Sequence, residues 1–264
     1  MRHDGRSRFR WRESGAGEPV LLLHGLMGKT DHWKATLRAL GSFCRPVALE
    51  LPIFDPSLSE VSLPSLTEWV CRFLDAQRMP HAVVGGNSLG GHVALEMAVA
   101  HPDRVSGLIL TGSSGLFERS FTRGVPHRPT SEWVREKMEE VFFDPALVTP
   151  QSVEAVLRAV STRDAALRVL QAARASKHRN VEDCLPTIDV PTCIIWGEED
   201  RITPLDIARR FHALLQNSDL FLVSRCGHAP MLERPEIFNA ILADWLLRRA
   251  LRQEHPALMA EAVA

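Results

Sequence analysis

The sequence predicts an α/β protein in which a mostly parallel central sheet carries helices on both faces and a helical cap is inserted into the chain. Apolar, strand-like runs alternate with helix-length segments through residue 115 and again after residue 186. One of these runs breaks at glycines and continues as a helix-forming stretch, and residues 116–185 show helical patterns without strands. We therefore predict a core domain of residues 1–115 and 186–264 and a cap domain of residues 116–185.

The elements follow one another in a regular order, with glycines and prolines at the turns between them. The first half contributes strands near residues 8–13, 20–23, 46–51, 81–84 and 105–110, and helices over 31–40, 66–77 and 89–101. The cap contributes helices over 131–143, 150–160 and 164–178, and the core then resumes with a strand ending at 196, a helix over 204–215 and a strand over 220–223. We expect His255-Pro256 to end the last helix.

Length permits one large domain or two small ones, the alternation of strands and helices favours one sheet with an insertion, and the composition argues against a nucleic-acid or membrane partner. The chain has 264 residues, 45% of them hydrophobic, and a formal net charge of −1, so it can bury a sizeable core and carries no excess charge for polyanions. No run reaches the roughly 18 apolar residues of a membrane span. The first residues also lack the apolar segment of a secretory signal. We expect a cytoplasmic protein, and its oligomeric state stays open.

The cysteines and histidines show no metal-binding pattern. Five cysteines are scattered along the chain without paired spacing, and their odd number is typical of free thiols in a reducing compartment. Cys226 lies two residues before a histidine, and we interpret it as a small buried residue rather than a reactive thiol. We expect neither a metal nor an organic cofactor.

The most informative segment is a glycine-bracketed serine. Ser88 lies between Gly86 and Gly90, directly after the β-branched run at residues 83–84 and directly before the helical segment from Leu89. Small residues two before and two after a serine allow a sharp strand-to-helix turn that lifts the hydroxyl above the sheet edge. The segment therefore predicts a nucleophile elbow, with Ser88 as the nucleophile.

A serine hydroxyl needs a base, which is usually a histidine held by a carboxylate. His228 and Asp200 each follow a predicted strand, so both side chains should reach the carboxyl edge of the sheet near Ser88. The 28 positions between them hold one helix and one strand, which is the unit that brings two strand ends side by side. Glu198 and Glu199 are the alternative acids, and we interpret them as solvated loop charges.

A tetrahedral intermediate needs hydrogen-bond donors aimed at its oxyanion. The Leu89 amide, at the start of a helix, is one candidate, and the Leu26 amide in the turn after the strand at residues 20–23 is the other. His24 could be mistaken for a catalytic base. We interpret it as a structural residue that holds this turn.

These segments resemble the α/β-hydrolase superfamily, and the resemblance covers residues 8–251. The oxyanion, nucleophile, acid and histidine segments of that family match residues 24–28, 86–91, 196–200 and 226–228, in the family's order of serine, acid and histidine. The stretches 86–91 and 226–235 are similar to the branch that holds meta-cleavage-product hydrolases, which cleave carbon–carbon bonds, and many small carboxylesterases. The resemblance implies the α/β-hydrolase fold and an acyl-enzyme mechanism.

Departures from the family pattern bear on the substrate. Meta-cleavage-product hydrolases usually carry a small glycine-rich oxyanion turn and a tryptophan after the catalytic histidine, whereas this chain has Leu26-Met27 and Ala229. These differences disfavour carbon–carbon cleavage. The serine nucleophile and the absence of any tyrosine disfavour epoxide hydrolase and haloalkane dehalogenase chemistry.

Candidate substrate-binding residues lie in the turns and in the cap: Met27, Ala229, Trp133, Phe142 and Arg174. The two aromatic residues are more typical of packing inside the cap than of substrate contacts, and Arg174 is more typical of a solvated helix face than of a carboxylate-binding group. The first hypothesis is a serine hydrolase of a small carboxylic ester. The alternatives are a carbon–carbon hydrolase of a vinylogous diketo acid, for which Arg174 could bind the carboxylate, and a hydrolase-like ligand sensor.

Overall fold

The computed structural model describes residues 2–3, 9–55, 57–117 and 129–250, with backbone alone at residues 2, 3 and 250. The predicted strand start at Arg8, part of the cap and the predicted helix end at residues 255–256 lie outside these residues. The described strands are β1 Arg2–His3, β2 Arg10–Glu13, β3 Pro19–Leu23, β4 Arg45–Leu49, β5 Ala82–Asn87, β6 Val105–Thr111, β7 Thr192–Gly197 and β8 Ser218–Val223.

These strands form one eight-stranded sheet in the order β1-β2-β4-β3-β5-β6-β7-β8. β2 pairs antiparallel with both β1 and β4, and every other neighbouring pair is parallel. The predicted fold class, a mostly parallel sheet within an α/β chain, is thereby confirmed. β5 occupies the centre, and it extends further than predicted because Gly85 and Gly86 continue its pairing with β6 as far as Asn87.

The described α-helices are α1 Lys34–Leu40, α2 Leu63–Ala76, α3 Leu89–Ala100, α4 Ser131–Glu139, α5 Pro150–Ala159, α6 Arg163–His178, α7 Leu205–Leu214, α8 Pro230–Glu233 and α9 Pro235–Trp245. A π-helical turn, Leu246–Ala250, follows α9. Short 3₁₀ helices span Thr30–Trp33, Pro102–Arg104, Pro145–Leu147 and Glu182–Thr187. The helix α2 begins earlier than predicted because Ser62 and Ser65 exchange side-chain to backbone hydrogen bonds, which form a capping box.

Both faces of the sheet are buried, as a parallel sheet requires. Successive side chains of β3 point to opposite faces: Leu21 and Leu23 join the core that includes residues of α2, α3 and α7, while Val20 and Leu22 join the core that includes residues of α1 and α9. Trp33 and Phe238 are fully buried in the second core. The two cores hold the sheet between them, and because β3 to β8 run parallel, their carboxyl ends lie at the same edge of the sheet.

The described residues between β6 and β7 form helices joined by turns and contain no strand. Each helix of this inserted segment, α4 to α6, begins behind a threonine whose hydroxyl accepts a hydrogen bond from the amide three residues later; these are Thr130, Thr149 and Thr162. The first helix ends at Glu139, four residues earlier than predicted, because Val141 turns towards the core and its carbonyl accepts a hydrogen bond from the His228 amide at 2.7 Å. None of the described helices is both long and apolar enough to cross a membrane.

Hydrogen bonds join the inserted segment to loops of the core that follow β4 and β6. The Arg168 guanidinium of α6 donates to the Leu58 carbonyl at 3.0 Å, and the Val181 amide donates to the Gly115 carbonyl at 2.8 Å. The segment also has a small apolar core of its own around Val134, Val148 and Val153. It therefore lies against the loops at the carboxyl edge of the sheet.

Candidate active site

Ser88 lies at the turn between β5 and α3 in a backbone conformation that L-residues rarely adopt. Its φ is +55° and its ψ is −119°, so the residue is held in a strained geometry by its surroundings. A Cβ on Gly86 would lie 2.5 Å from the Leu23 carbonyl oxygen, and one on Gly90 would overlap the same atom. Both neighbours must therefore be glycine for the turn to pack against β3.

The backbone of Ser88 is fixed on both sides. Its amide donates to the Thr111 carbonyl at 3.2 Å, and its carbonyl accepts from the Ser114 amide at 3.2 Å and from the His92 amide at 3.1 Å. The side chain remains partly exposed at the sheet edge. A hydroxyl on such a rigid turn is accessible to a small molecule without movement of the core.

Asp200 and His228 form a buried pair at the ends of neighbouring strands. The His228 Nδ1 lies 2.9 Å from Asp200 Oδ2, and both residues are 5% exposed or less. The amides of Ile202 and Thr203 donate to Asp200 Oδ1 at 2.8 and 2.9 Å, and the Thr203 hydroxyl donates to Oδ2 at 2.8 Å. The carboxylate is thus an acceptor for four donors, which fix its position beside the imidazole.

The two alternative acids have other positions. Glu198 is exposed, and Glu199 accepts a hydrogen bond from the Cys226 amide at 2.8 Å through its Oε2. Glu199 therefore supports the loop that carries His228 without touching the imidazole. Of the three acidic residues in this loop, Asp200 is the one that the structure places on His228.

Asn87 ties the serine turn to the histidine loop. Its side-chain amide donates to the Thr111 carbonyl at 3.0 Å and to the His228 carbonyl at 2.8 Å. Because Asn87 directly precedes Ser88, these bonds hold the two segments side by side. Sequence reasoning missed this residue, although a polar side chain at the buried end of a strand is a signal that it needs partners.

Two further residues that sequence reasoning missed support His228. The Thr203 hydroxyl donates to the Asp200 carboxylate. An aspartate side chain often accepts hydrogen bonds from the residues two and three positions later in a turn, so the spacing of Asp200 and Thr203 was a signal of this contact. Glu233 accepts from the Gly227 amide at 2.7 Å and from the Asp144 amide at 2.8 Å. Glu233 thereby joins the histidine loop to the inserted segment, and no sequence motif pointed to that contact.

The turn after β3 passes next to Ser88. A Cβ on Gly25 would lie 3.3 Å from the Ser88 Cβ. His24 is buried, its Nδ1 lies 2.8 Å from the Gly25 carbonyl, and its Nε2 accepts from the Leu51 amide at 3.0 Å. Burial lowers the pKa of His24 to about 4, so the ring is neutral at pH 7 and links this turn to the end of β4.

The two amides predicted to hold an oxyanion lie on either side of this contact. Leu89 is the first residue of α3, and Leu26 lies in the turn one residue after Gly25. Neither amide donates a hydrogen bond to another residue in the described ranges. Neither N–H group is therefore occupied by another described residue.

The candidate substrate-binding residues are not all in one place. Met27 is partly buried in the turn beside Gly25, and Ala229 is buried directly after His228. Trp133 and Phe142 pack on the apolar core of the inserted segment. Arg174 is exposed on α6. Ala229 therefore neighbours His228 in sequence and Met27 lies in the turn that passes Ser88, whereas the three residues of the inserted segment have packing or solvent positions.

The thiol nearest to His228 in sequence is not poised to react. Cys226 is buried, and burial raises the pKa of its thiol, so the thiolate is disfavoured at neutral pH. All five cysteines are free. In the described ranges, no group of three or more histidine, cysteine or acidic side chains is arranged to hold a metal ion.

The comparisons with known proteins agree with this architecture. Residues 20–241 match the model of the alpha/beta hydrolase family, and the chain belongs to that family. It is 30% identical to the 2-hydroxy-6-oxononadienedioate/2-hydroxy-6-oxononatrienedioate hydrolase of Paraburkholderia xenovorans, with 92% of each chain covered.

Solved structures show the same fold. An alpha/beta hydrolase enzyme from the metagenome of sediments from the lagoon of Mar Chica, Morocco, superposes with a TM-score of 0.74 at 32% identity, covering 93% of this chain and 96% of that one. A meta-cleavage product hydrolase from Pseudomonas fluorescens superposes with a TM-score of 0.81 at 24% identity, covering 90% and 93%. The second likeness concerns the fold alone.

Proposed function

We propose that the protein is a serine hydrolase that cleaves a small carboxylic ester through an acyl-enzyme on Ser88. In this mechanism the Ser88 hydroxyl attacks the ester carbonyl while His228 Nε2 takes its proton, and His228 then protonates the leaving alcohol. Asp200 orients the imidazole, and water later releases the acyl group by the same route in reverse. The inserted segment, residues 116–185, serves as a cap that builds the substrate pocket.

The observation that carries the proposal is the buried bond between His228 Nδ1 and Asp200 Oδ2. An ionised carboxylate can only accept, so Nδ1 must carry the proton and Nε2 is left with its lone pair. That tautomer is the one a general base requires. The proposal further requires Ser88 Oγ and His228 Nε2 to approach to hydrogen-bond distance on substrate binding, as such bonds often tighten only in the complex.

The turn geometry supports stabilisation of the tetrahedral intermediate. The amides of Leu26 and Leu89 make no hydrogen bonds to other described residues and lie in segments that contact or adjoin Ser88. The Leu89 amide also lies at the N-terminus of α3, where the helix favours negative charge. We assign these two amides to the oxyanion, a role in which each donor typically contributes about 10²- to 10³-fold in rate.

The positions of two cations of α6 support an ester over an anionic keto acid. Arg168 is engaged by the Leu58 carbonyl and Asp164, and Arg174 points to solvent. Of the described cations of α6, these two therefore offer no buried, unpaired charge for a substrate carboxylate.

Carbon–carbon cleavage of a vinylogous diketo acid is the second candidate, because the Paraburkholderia relative, with 30% identity over 92% of the chain, is named for such a substrate. The reaction would use the same Ser88 and His228. It differs from ester hydrolysis in needing a cation for the substrate carboxylate. The two candidate functions can therefore be distinguished by which substrate is hydrolysed and by how far removal of a cation lowers kcat/KM.

The test compares the wild-type protein on p-nitrophenyl esters of increasing acyl length and on a meta-cleavage dienol, with Arg174→Ala as the variant. We expect short esters to be the better substrates and Arg174→Ala to change their kcat/KM only a few-fold. The control is Arg209→Ala, which removes an exposed arginine on α7, outside the inserted segment.

Efficient dienol turnover that falls on the order of 30-fold or more in Arg174→Ala, the effect of about 2 kcal/mol for a lost charge partner, would replace the ester proposal by carbon–carbon cleavage. Tight, saturable binding of an ester with negligible turnover would instead favour the ligand sensor.

A further inference from the structure

A cleft of 530 Å³ lies between α1 and α9, and its walls are built from small side chains. Ala35 and Ala39 of α1 face Ala240 and Ala243 of α9 across it. These alanines are exposed or half-buried in the single chain. Small side chains on two packed helices leave room for larger side chains from another helix.

A large apolar side chain continues the same surface. Leu247, in the π-helical extension of α9, is 45% exposed. It follows Ala240 and Ala243 at spacings of three and four residues, which places the three side chains along one stripe. One surface thus carries both a projecting side chain and the small residues that could receive it, as an isologous contact requires.

The floor of the cleft holds a polar atom without a partner. Asn239 lines the cleft and is 8% exposed, and its Oδ1 is shut off from solvent and accepts no hydrogen bond from any residue in the described ranges. Buried acceptors in folded proteins nearly always have a donor. A second protein surface would satisfy this atom if it brought a donor into the cleft and the Asn239 side chain turned towards that donor.

Charge on the rim is self-complementary. Arg38 of α1 and Glu236 of α9 are both exposed and line the cleft from opposite helices, and no ion pair joins them within the described chain. A two-fold axis through the cleft would place Arg38 of each copy against Glu236 of the other. The net charge of −1 gives little general repulsion between copies.

We infer that two copies of this chain associate through the α1/α9 surface as a symmetric dimer. The surface lies over the core that contains Trp33 and Phe238, whereas Ser88 lies at the carboxyl edge of the sheet. Association therefore leaves the site of Ser88 open, and the inference does not depend on which reaction that site performs.

The first test is sedimentation equilibrium of the full chain over a concentration series. The wild-type protein should approach twice the chain mass of 29.5 kDa. Ala240→Arg should shift it to the monomer, because the arginine fills the cleft. Ala213→Arg, at an exposed alanine of α7, is the matched control and should remain dimeric. Circular dichroism and hydrolysis per chain should be unchanged in both variants.

The second test uses charge reversal. Arg38→Glu and Glu236→Arg should each be monomeric alone, because like charges then meet twice across the axis. An equal mixture of the two variants should form a heterodimer, because both contacts are attractive again. Each variant has like charges at positions 38 and 236 of its own chain, and mixing does not remove that repulsion. If the dimer forms again on mixing, the contact between positions 38 and 236 must therefore join two chains.

A wild-type protein that stays monomeric throughout the series, or an oligomer that survives Ala240→Arg, overturns the inference. The inference is also overturned if Ala213→Arg loses the dimer, or if the mixed charge variants fail to associate.

Discussion

Asp200→Asn is the substitution whose outcome the geometry specifies most closely. Asp200 Oδ1 accepts from two backbone amides, those of Ile202 and Thr203. An asparagine NH₂ placed there would face two N–H donors, at about 1–3 kcal/mol for each unsatisfied group. The asparagine must therefore turn its oxygen to these amides and its NH₂ to His228.

This orientation forces the wrong tautomer. An NH₂ group donates to His228 Nδ1, so the ring proton moves to Nε2, which can no longer accept a proton from Ser88. Loss of the tautomer and of the charge that stabilises the imidazolium lowers kcat by about 10⁴ in the serine protease template. That factor corresponds to about 5 kcal/mol of transition-state stabilisation. We expect a loss of the same order here.

The assay is kcat/KM on a short p-nitrophenyl ester, with thermal unfolding followed by circular dichroism. The variant should stay folded, because both amide bonds to Oδ1 are kept. Glu198→Gln makes the same charge change at an exposed site two residues away and should be fully active. Thr203→Val, which removes one of the donors to Oδ2, should lose roughly 10- to 100-fold, as expected for a bond of about 1.5–3 kcal/mol to a charged group.

A folded Asp200→Asn protein that keeps kcat/KM within about tenfold of wild type would refute this reasoning, since the tautomer argument predicts a far larger loss. A severe loss in Glu199→Gln with Asp200→Asn active would move the acid to its neighbour. Equal losses in Thr203→Val and Asp200→Asn would show that the hydroxyl, and not the carboxylate charge, controls the imidazole.

Two further predictions concern positioning and pH. Asn87→Ala removes the two bonds that join the serine turn to the Thr111 and His228 carbonyls, so we expect kcat to fall with KM little changed and the free energy of unfolding to fall by about 1–3 kcal/mol; equal kinetics in variant and wild type would contradict it. Burial lowers the pKa of His24 to about 4 and that of His92 to about 3, against an ordinary value of 6.5. Below pH 6.5 these two histidines are therefore protonated in the unfolded state and remain neutral in the native state. Stability should therefore fall from pH 6.5 towards pH 4, by about 2 kcal/mol per histidine at about pH 5, and His92→Gln should halve that loss in urea titrations; an unchanged slope would contradict the assignment.

Much of the fold could be predicted because each element carries a local signal. The order of strands and helices follows from apolar runs broken by glycine and proline. The same periodicity cannot show where an element ends when tertiary contacts decide it. Residues 140–143 continue a helical pattern, yet Val141 leaves α4 to accept the His228 amide. The glycines at the end of β5 suggested a turn, but pairing with β6 extends the strand through them.

Within the site, the residues that sequence reasoning named are those whose chemistry is rare and whose spacing is fixed. Ser88, Asp200 and His228 each follow a strand, and these positions predicted that the three side chains would share one edge of the sheet. Thr203 and Asn87 are common residue types, and their importance comes from which carbonyl or carboxylate they reach across the fold. Such contacts join residues up to 141 positions apart, as Asn87 and His228 are, so no local pattern reveals them.

The inserted segment was the hardest part to predict. Its helices and their threonine caps are local features, but the direction of each side chain depends on how three helices pack. The sequence favoured packing inside the segment for Trp133 and Phe142 but left substrate contact open, and the structure places both on the segment's own core. Arg174 similarly turned out to be exposed. The directions of these side chains therefore follow from packing that a single sequence does not encode locally.

Labelling with a fluorophosphonate tests the central claim, that Ser88 is the nucleophile of an ester hydrolase, most directly. One equivalent of probe should be incorporated, and peptide mass spectrometry should locate it on Ser88, with hydrolysis of p-nitrophenyl esters lost in proportion. Ser88→Ala should fold normally, take up no probe and lose activity on the order of 10⁴-fold or more. Labelling of Ser113 or Ser114, or ester turnover that persists in Ser88→Ala, would contradict the account.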